Sequence, residues 1–314
     1  MEYCENLMKK QTEFGTYALF RSYPELFTAA NEYNAEVILD YAYVPLLKTW
    51  NKLYDAAPIS AQARLNGYAP LQSLVDNYLT LGGNTIATDP QYNDSNPYVN
   101  RDPRMAATIV FHGGQWTDFD GTTRKIFIKP GSGTSDKERL DEYQGASANA
   151  SATGYYVKKY YDVTATVKYD AGLNIIMFRY ADILLMYAEA KEALGQLNAA
   201  VWDMTIKPIR QRAGFEASKA LDFPTTGDLK TIVRNERRSE LALEGLRYYD
   251  IMRWKAGKTY LDGQVLGAKY GGNNSNIKLD IRRFDESRDY LWSIPRTQID
   301  LNKNLLPNNQ GYSN

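Results

Sequence analysis

Residues 174–195 read NIIMFRYADILLMYAEAKEALG. Ile176, Tyr180, Ile183, Tyr187, Ala190 and Leu194 recur at alternating steps of four and three, the period of a helix that buries one stripe. Ala181, Leu184 and Ala188 widen that stripe, and Gly195 marks its end. Such a helix needs partners, and the residues downstream supply them. Asn198 is placed to cap a second helix running to Gly214, which must bend or break around Pro208 because proline lacks the N–H and crowds the preceding turn. Asp228 is placed to cap a third, reaching Lys255, whose Arg and Glu residues fall at spacings that allow ion pairs along and between helices. The expected fold class is mainly α: tetratricopeptide-like helix pairs, without a clean repeat length, joined to a loop-rich, partly β ligand-binding region.

Upstream the pattern is more broken. Residues 2–23 read as one helix, with Leu7, Met8, Phe14, Ala18 and Leu19 as its apolar positions and Pro24 at its end. Residues 36–43 read as a strand, and 45–70, punctuated by Pro45, Pro58 and Pro70, as an ordered loop. A helix is expected over 70–81, before Gly82 and Gly83. Beyond it, 108–111, 124–128 and 155–161 look like short strands, whereas 131–154, rich in Gly, Ser, Ala and Thr, reads as a mobile segment. Three regions follow: 1–81, 82–172 and 173–314.

Composition narrows the chemistry. Lys plus Arg and Asp plus Glu both number 37 in the 314 residues, so no net field is available to hold a polyanion, and nucleic acid is not an expected partner. No run is long and apolar enough for a membrane helix. With one cysteine, Cys4, and one histidine, His112, an internal disulfide and the usual zinc spacings are excluded; no cofactor is expected. Tyrosine is abundant at 25 residues, a flat ring with a hydrogen-bonding tip that suits wet binding surfaces as well as cores.

Four stretches carry a resemblance: 174–195 above, IRQRAGF at 209–215, RNERRSELALEGLRYYDIMRW at 234–254 and WSIPRTQIDLNKNLLPNNQGY at 292–312. With RDPRM at 101–105 and NEYNAEVILDYAY at 31–43, they are similar in wording, order and spacing to the SusD/RagB family of nutrient-binding lipoproteins. The resemblance implies a glycan-binding protein, not an enzyme, that faces outward on the cell outer membrane and hands oligosaccharide or polysaccharide to a SusC-like TonB-dependent transporter. It also implies an amino-terminal part that this chain lacks, so the helices beginning at Asn174 and Asn198 are expected to show uncovered apolar faces. Cys4 lacks the small and apolar residues that precede a lipidation cysteine. The RagB branch keeps peptide as an alternative ligand; a glycoside hydrolase using two carboxylates and a pure helical interaction scaffold also stay open.

The family's charged residues, Arg179, Asp182, Glu189 and the run 234–253, read as solvated faces or helix-to-helix ion pairs, Gly245 as a close packing point, and Asp102-Pro103-Arg104 as a turn whose Arg is tied back to the fold. Asp118, Asp120 and Thr122 are spaced somewhat like a calcium loop but lack the Glu at its twelfth position, and His112 reads as structural. Sugar binding asks for rings against pyranose faces, with amides, guanidinium groups and carboxylates for the hydroxyls. Trp50, Tyr54, Arg64, Asn66 and Tyr68 bring that mixture into one proline-bounded loop, Tyr43 flanks its entry, and Trp116 stands in a second loop. These seven are the candidate ligand-binding residues; a core role is the competing reading for each ring.

Overall fold

The computed structural model describes residues 1–9, 13, 15–50, 52–162 and 171–313. The helices are α1 (Glu2–Lys9), α2 (Tyr23–Leu26), α3 (Gln72–Asn77), α4 (Pro103–Thr108), α5 (Asp136–Arg139), α6 (Tyr180–Ala193), α7 (Ala199–Met204), α8 (Ile206–Ala213), α9 (Ser218–Leu221), α10 (Leu229–Glu240), α11 (Arg247–Arg253), α12 (Gly257–Tyr260) and α13 (Arg296–Leu301). The strands are β1 (Val37–Tyr41), β2 (Ile109–Val110), β3 (Gln115–Thr117), β4 (Thr123–Lys125), β5 (Tyr156–Val157), β6 (Ile175–Arg179), β7 (Gly263–Leu266) and β8 (Lys278–Arg282). They form four antiparallel pairs, β1 with β6, β2 with β5, β3 with β4 and β7 with β8. The chain is mainly α, with helix pairs and a loop-rich, partly β region, as its periodicity predicts.

The helical core gathers Leu184, Leu185, Tyr187 and Ala188 of α6, Val201 and Trp202 of α7, Ile206 and Ile209 of α8, and Val233 of α10. Asn198 caps α7 by accepting from the Val201 N–H at 3.1 Å. The break before Pro208 falls at Thr205, the residue after Met204, whose carbonyl a continuous helix would have bonded to the N–H that Pro208 lacks. Asp228 caps α10 from its two carboxylate oxygens. A second core, holding Tyr23, Phe27, Tyr54, Trp116, Tyr156, Tyr160 and Ile176, draws on all three sequence regions.

Several boundaries differ from expectation. The stripe of residues 174–195 begins as strand: β6 pairs with β1, Leu39 opposite Phe178 and Asp40 opposite Ile176, and the helix starts only at Tyr180. Here the backbone partner offered by β1 outweighs a pattern that a short apolar run shares with a helix. At the amino end α1 covers Glu2–Lys9, residues 15–20 belong to no regular element, and Pro24 opens α2 instead of ending a helix, its fixed φ being suited to a first turn. Phe14 lies outside the described residues. Helix 70–81 shortens to α3.

The third helix likewise does not run to Lys255. It ends at Glu240, Leu243 and Gly245 adopt positive φ (63° and 82°), and α11 resumes at Arg247. A Cβ on Gly245 would meet nothing within 4 Å, so this glycine supplies a left-handed turn and not the close packing expected. Segment 131–154 is tied down instead of loose: α5 carries a capping box from Ser135 and Glu138, and buried Asp141 accepts from the Ser60 N–H at 3.0 Å and from its hydroxyl.

Much of the α6 stripe is covered, with Cys4, Met8 and Leu19 packed on that core, while Leu194 at its end and Met204 of α7 stay exposed. An exposed apolar pair also lies on the β1–β6 ribbon, where Leu39 and Phe178 stand opposite each other at 48% and 43% exposure.

Of the charged residues that read as solvated faces or helix-to-helix ion pairs, Arg179, Asp182, Glu236, Arg237, Glu240 and Asp250 are buried. Glu36, Asp102, Glu236, Glu240 and Glu244 interlock with Arg104, Lys159, Arg179, Arg210 and Arg212. Arg179 reaches Glu36 and Glu240 at 2.6 Å each and Glu244 at 2.7 Å; Arg104 reaches Asp102 at 2.7 Å and Glu240 at 2.8 Å. Burial alone would raise the Glu240 carboxyl, but Arg212, Arg179 and Arg104 hold it well below the usual carboxylate range. This balanced cluster joins β1, α4, β6, α8 and α10. The expected helix-to-helix pairs are present too, Arg237 bridging Asp182 and Asp250, and Arg253 meeting Glu189.

Candidate ligand-binding cleft

The seven residues singled out by sequence do not form one surface. Tyr54 is 1% exposed, wedged between Phe119 and Tyr161, and Trp116 is likewise 1% exposed with its ring centroid 4.4 Å from that of Tyr161. Both are core rings and offer a sugar no face, which corrects their expected role. Their loops are polar on either side, but the rings themselves are the apolar material that the second core needed. Trp50 packs partly on that core, against Tyr160, and makes a tilted pair with Tyr43 at 6.4 Å; Tyr41 lies 5.1 Å from Tyr43 and carries the Lys48 ammonium over its ring at 3.9 Å. Arg64 pairs with Asp55 at 2.7 Å, Asn66 is bound through its backbone to Asn149 and through its amide to the Ala56 carbonyl, and Tyr68 is exposed.

A cleft of about 760 Å³ opens elsewhere, lined by Tyr92, Tyr98, Tyr155 and Tyr270 with His112, Asp76, Asp94, Lys129, Lys269 and the amides of Asn96, Asn274 and Asn276. Two asparagine-rich loops build it. The first, DPQYNDSNPY at 89–98, folds on side-chain turns: Asp89 accepts from the Gln91 N–H and Asn93 from the Ser95 N–H, each at 2.8 Å. Arg101 fastens its end by donating to the carbonyls of Pro97, Val75 and Tyr78 at 2.6–2.9 Å. The second, AKYGGNNSN at 268–276, is closed by Gly271 N–H to the Ser275 carbonyl and by the Asn276 amide to Gly267. Gly154 seats it: at φ +75°, with Tyr270 ring carbons 2.9 Å from where a Cβ would stand, no other residue allows that approach. A Lys269–Asp94 pair at 2.7 Å ties the loops together.

The rings are held by one another. Tyr98 stacks on Phe111 at 4.3 Å and meets Tyr155 edge-on at 6.4 Å; the Tyr155 hydroxyl donates to the Gln72 amide oxygen at 2.6 Å. Burial raises the phenols of Tyr98, Tyr155 and Tyr270, and burial with the Asp94 charge pushes Tyr92 up to about 12. All four therefore stay protonated as neutral donors. Burial and the Lys129 charge lower the His112 pKa, and its Nδ1 accepts from the Ile128 and Lys129 N–H groups at 3.2 and 3.3 Å, which leaves the proton on Nε2. His112 is structural as expected, but on the wall of the cleft. Tyr155 is itself buried and backs the wall, so Tyr92, Tyr98 and Tyr270 with neutral amides and few free charges make a surface suited to a neutral polyhydroxylated ligand. Sequence reasoning missed it although both loops carry the same signal, a tyrosine within an Asn- and Gly- or Pro-rich turn segment.

Residues 36–312 match the model of the SusD family. The chain belongs to the SusD family. The SusD-like protein P2 of Formosa agariphila is 30% identical over 181 residues, 55% of this chain and 33% of that protein. The crystal structure of a SusD-like carbohydrate-binding protein from Bacteroides fragilis superposes with a TM-score of 0.80 at 28% identity, covering 95% of this chain and 60% of that one. A structure solved with a xylogluco-oligosaccharide shares the fold at a TM-score of 0.64 and 17% identity, covering 98% of this chain and 60% of that one. This SusD-family chain thus matches a third of the length of its curated relative and about 60% of the solved one. Among the described residues, no helix is long and apolar enough to cross a membrane.

Proposed function

We propose that the chain captures oligosaccharide in the Tyr92–Tyr270 cleft at the outer surface of the outer membrane and passes it unchanged to a SusC-like TonB-dependent transporter. The observation that carries this reading is the convergence of the partly exposed rings of Tyr92, Tyr98 and Tyr270, a neutral histidine and three asparagine amides in one cleft. Rings give pyranose faces a surface, and the loop amides, which both donate and accept, match sugar hydroxyls. The carbohydrate-binding relative from Bacteroides fragilis supports the ligand class. Tyr43, Trp50 and Tyr68 form further aromatic surface that a long glycan could reach.

One observation favours the hydrolase alternative. Asp76 and Asp94 line the same cleft, the first raised by burial and the second lowered by its hydrogen bond from Lys269, and divergent acids are what glycosidases use. Both are occupied, however, Asp76 by the Gln72 amide at 2.7 Å and Asp94 by Lys269. Calorimetric titration against soluble oligosaccharides and a peptide panel, followed by chromatography of each bound sugar after prolonged incubation, tests the proposal. Saturable sugar binding with the ligand recovered intact is expected. Peptide binding alone, or shortened products that disappear in Asp76→Asn, would overturn it.

A further inference from the structure

A second cavity, of about 460 Å³, adjoins the tyrosine cleft through Gln72 and Asp76 and lies between α3, the turn joining α10 to α11, α12 and β7. Its wall is mostly apolar, with Leu74, Leu241, Leu246, Ile251 and Val265 among its residues, yet Arg238 and Arg247 also line it. The acids on that wall are largely taken. Asp250 is paired with Arg237 and Arg253 at 2.9 and 2.8 Å, Asp262 with Lys258 at 2.9 Å, and Asp76 accepts from Gln72.

The two guanidinium groups are differently placed from the arginines of the buried cluster, each of which has its carboxylate. Arg238 donates to the Ser73 hydroxyl at 3.1 Å, and Arg247 lies over the Tyr260 ring at 4.3 Å and the Trp254 ring at 5.6 Å. Neither has an ion-pair partner among the described residues; Arg234, over Trp254 at 4.4 Å, does not line the cavity. Burial together with the Arg247 charge brings Arg238 down to about 10, and burial, with Arg234 nearby, lowers Arg247. Guanidinium groups gathered in a partly dry site repel one another unless an anion joins them.

We infer that this cavity is a second binding site, for an organic carboxylate with an apolar body, the carboxylate held by Arg238 and Arg247 and the body by the leucine-rich wall. A planar guanidinium matches a carboxylate through paired N–H donors, and the apolar wall excludes a ligand that is charged and hydroxylated throughout.

The probe is 3-phenylpropionate, titrated calorimetrically into the full chain at low ionic strength beside 3-phenylpropionamide and glucuronate. Saturable binding of phenylpropionate is expected, with both comparison compounds weaker by about tenfold or more. R238Q and R247Q should each weaken it by about tenfold, while R238K retains part of the affinity. Melting temperatures taken on each variant separate lost contacts from lost fold, and removing one of several like charges should not lower them. Oligosaccharide titrated in parallel should bind R238Q as it binds the wild type, so this site and the tyrosine cleft stand or fall separately. Amide binding as tight as the acid, glucuronate binding tighter, unchanged affinity in both glutamine variants, or no saturation at millimolar phenylpropionate would each overturn the proposal.

Discussion

Asp141 is a carboxyl that the fold favours in its protonated form. Burial pushes it up to about 6, against an ordinary 3.8, although the Ser60 hydroxyl and N–H offset part of that rise. Between those values the folded chain binds more protons than the unfolded one, so this group's contribution is full below the lower value and is lost as pH rises through about 6. Full ionisation costs about 3 kcal/mol. Asp141→Asn should therefore be no less stable than the wild type at neutral pH, and denaturant unfolding from pH 4 to pH 7 should lack the loss that the wild type carries from this residue. Side-chain roles were legible in sequence only as types. The loop around Tyr54 has the composition of a sugar site, but composition does not say which ring turns inward; Tyr54 fills the second core while Tyr92, in a less conspicuous loop, lines the cleft.

At the scale of elements, caps and breakers were the most legible features. Asn198, Asp228, Gly195 and Pro208 act as their local chemistry demands, because each works through its own backbone or the next turn. What failed was anything decided by a distant partner. Residues 175–179 became strand because β1 pairs with them, and α10 gives way after Glu240 to a turn in which Leu243 and Gly245 take positive φ. The turn between α10 and α11 needs Gly245 at φ +82°, with open space at its Cβ position. Gly245→Ala should thus cost about 1 kcal/mol by backbone strain alone, and Gly245→Asn less, since asparagine tolerates the left-handed region. Thermal unfolding of the two variants checks the order; a larger loss in Asn than in Ala would mean that side-chain volume matters there after all.

For the whole molecule, the buried charge cluster links segments that composition could only describe as charged. Its members stand up to 208 residues apart, from Glu36 to Glu244, and no local window contains the pairing. Glu240→Gln would leave Arg104, Arg179 and Arg212 short of one shared negative charge, and a loss of about 3–5 kcal/mol is expected on breaking such a cluster from one side. Chemical denaturation reads it directly, and a loss under about 1 kcal/mol would mean that the remaining acids compensate. The most direct test of the account is calorimetric titration of the wild type, Tyr92→Ala and Trp50→Ala with the tightest oligosaccharide found. Tyr92→Ala should weaken binding by roughly thirtyfold, about 2 kcal/mol, with its melting temperature preserved, while Trp50→Ala binds nearly as the wild type does. Unchanged affinity in Tyr92→Ala alongside lost affinity in a stable Trp50→Ala would place the glycan on the Tyr43–Trp50 surface and contradict the cleft.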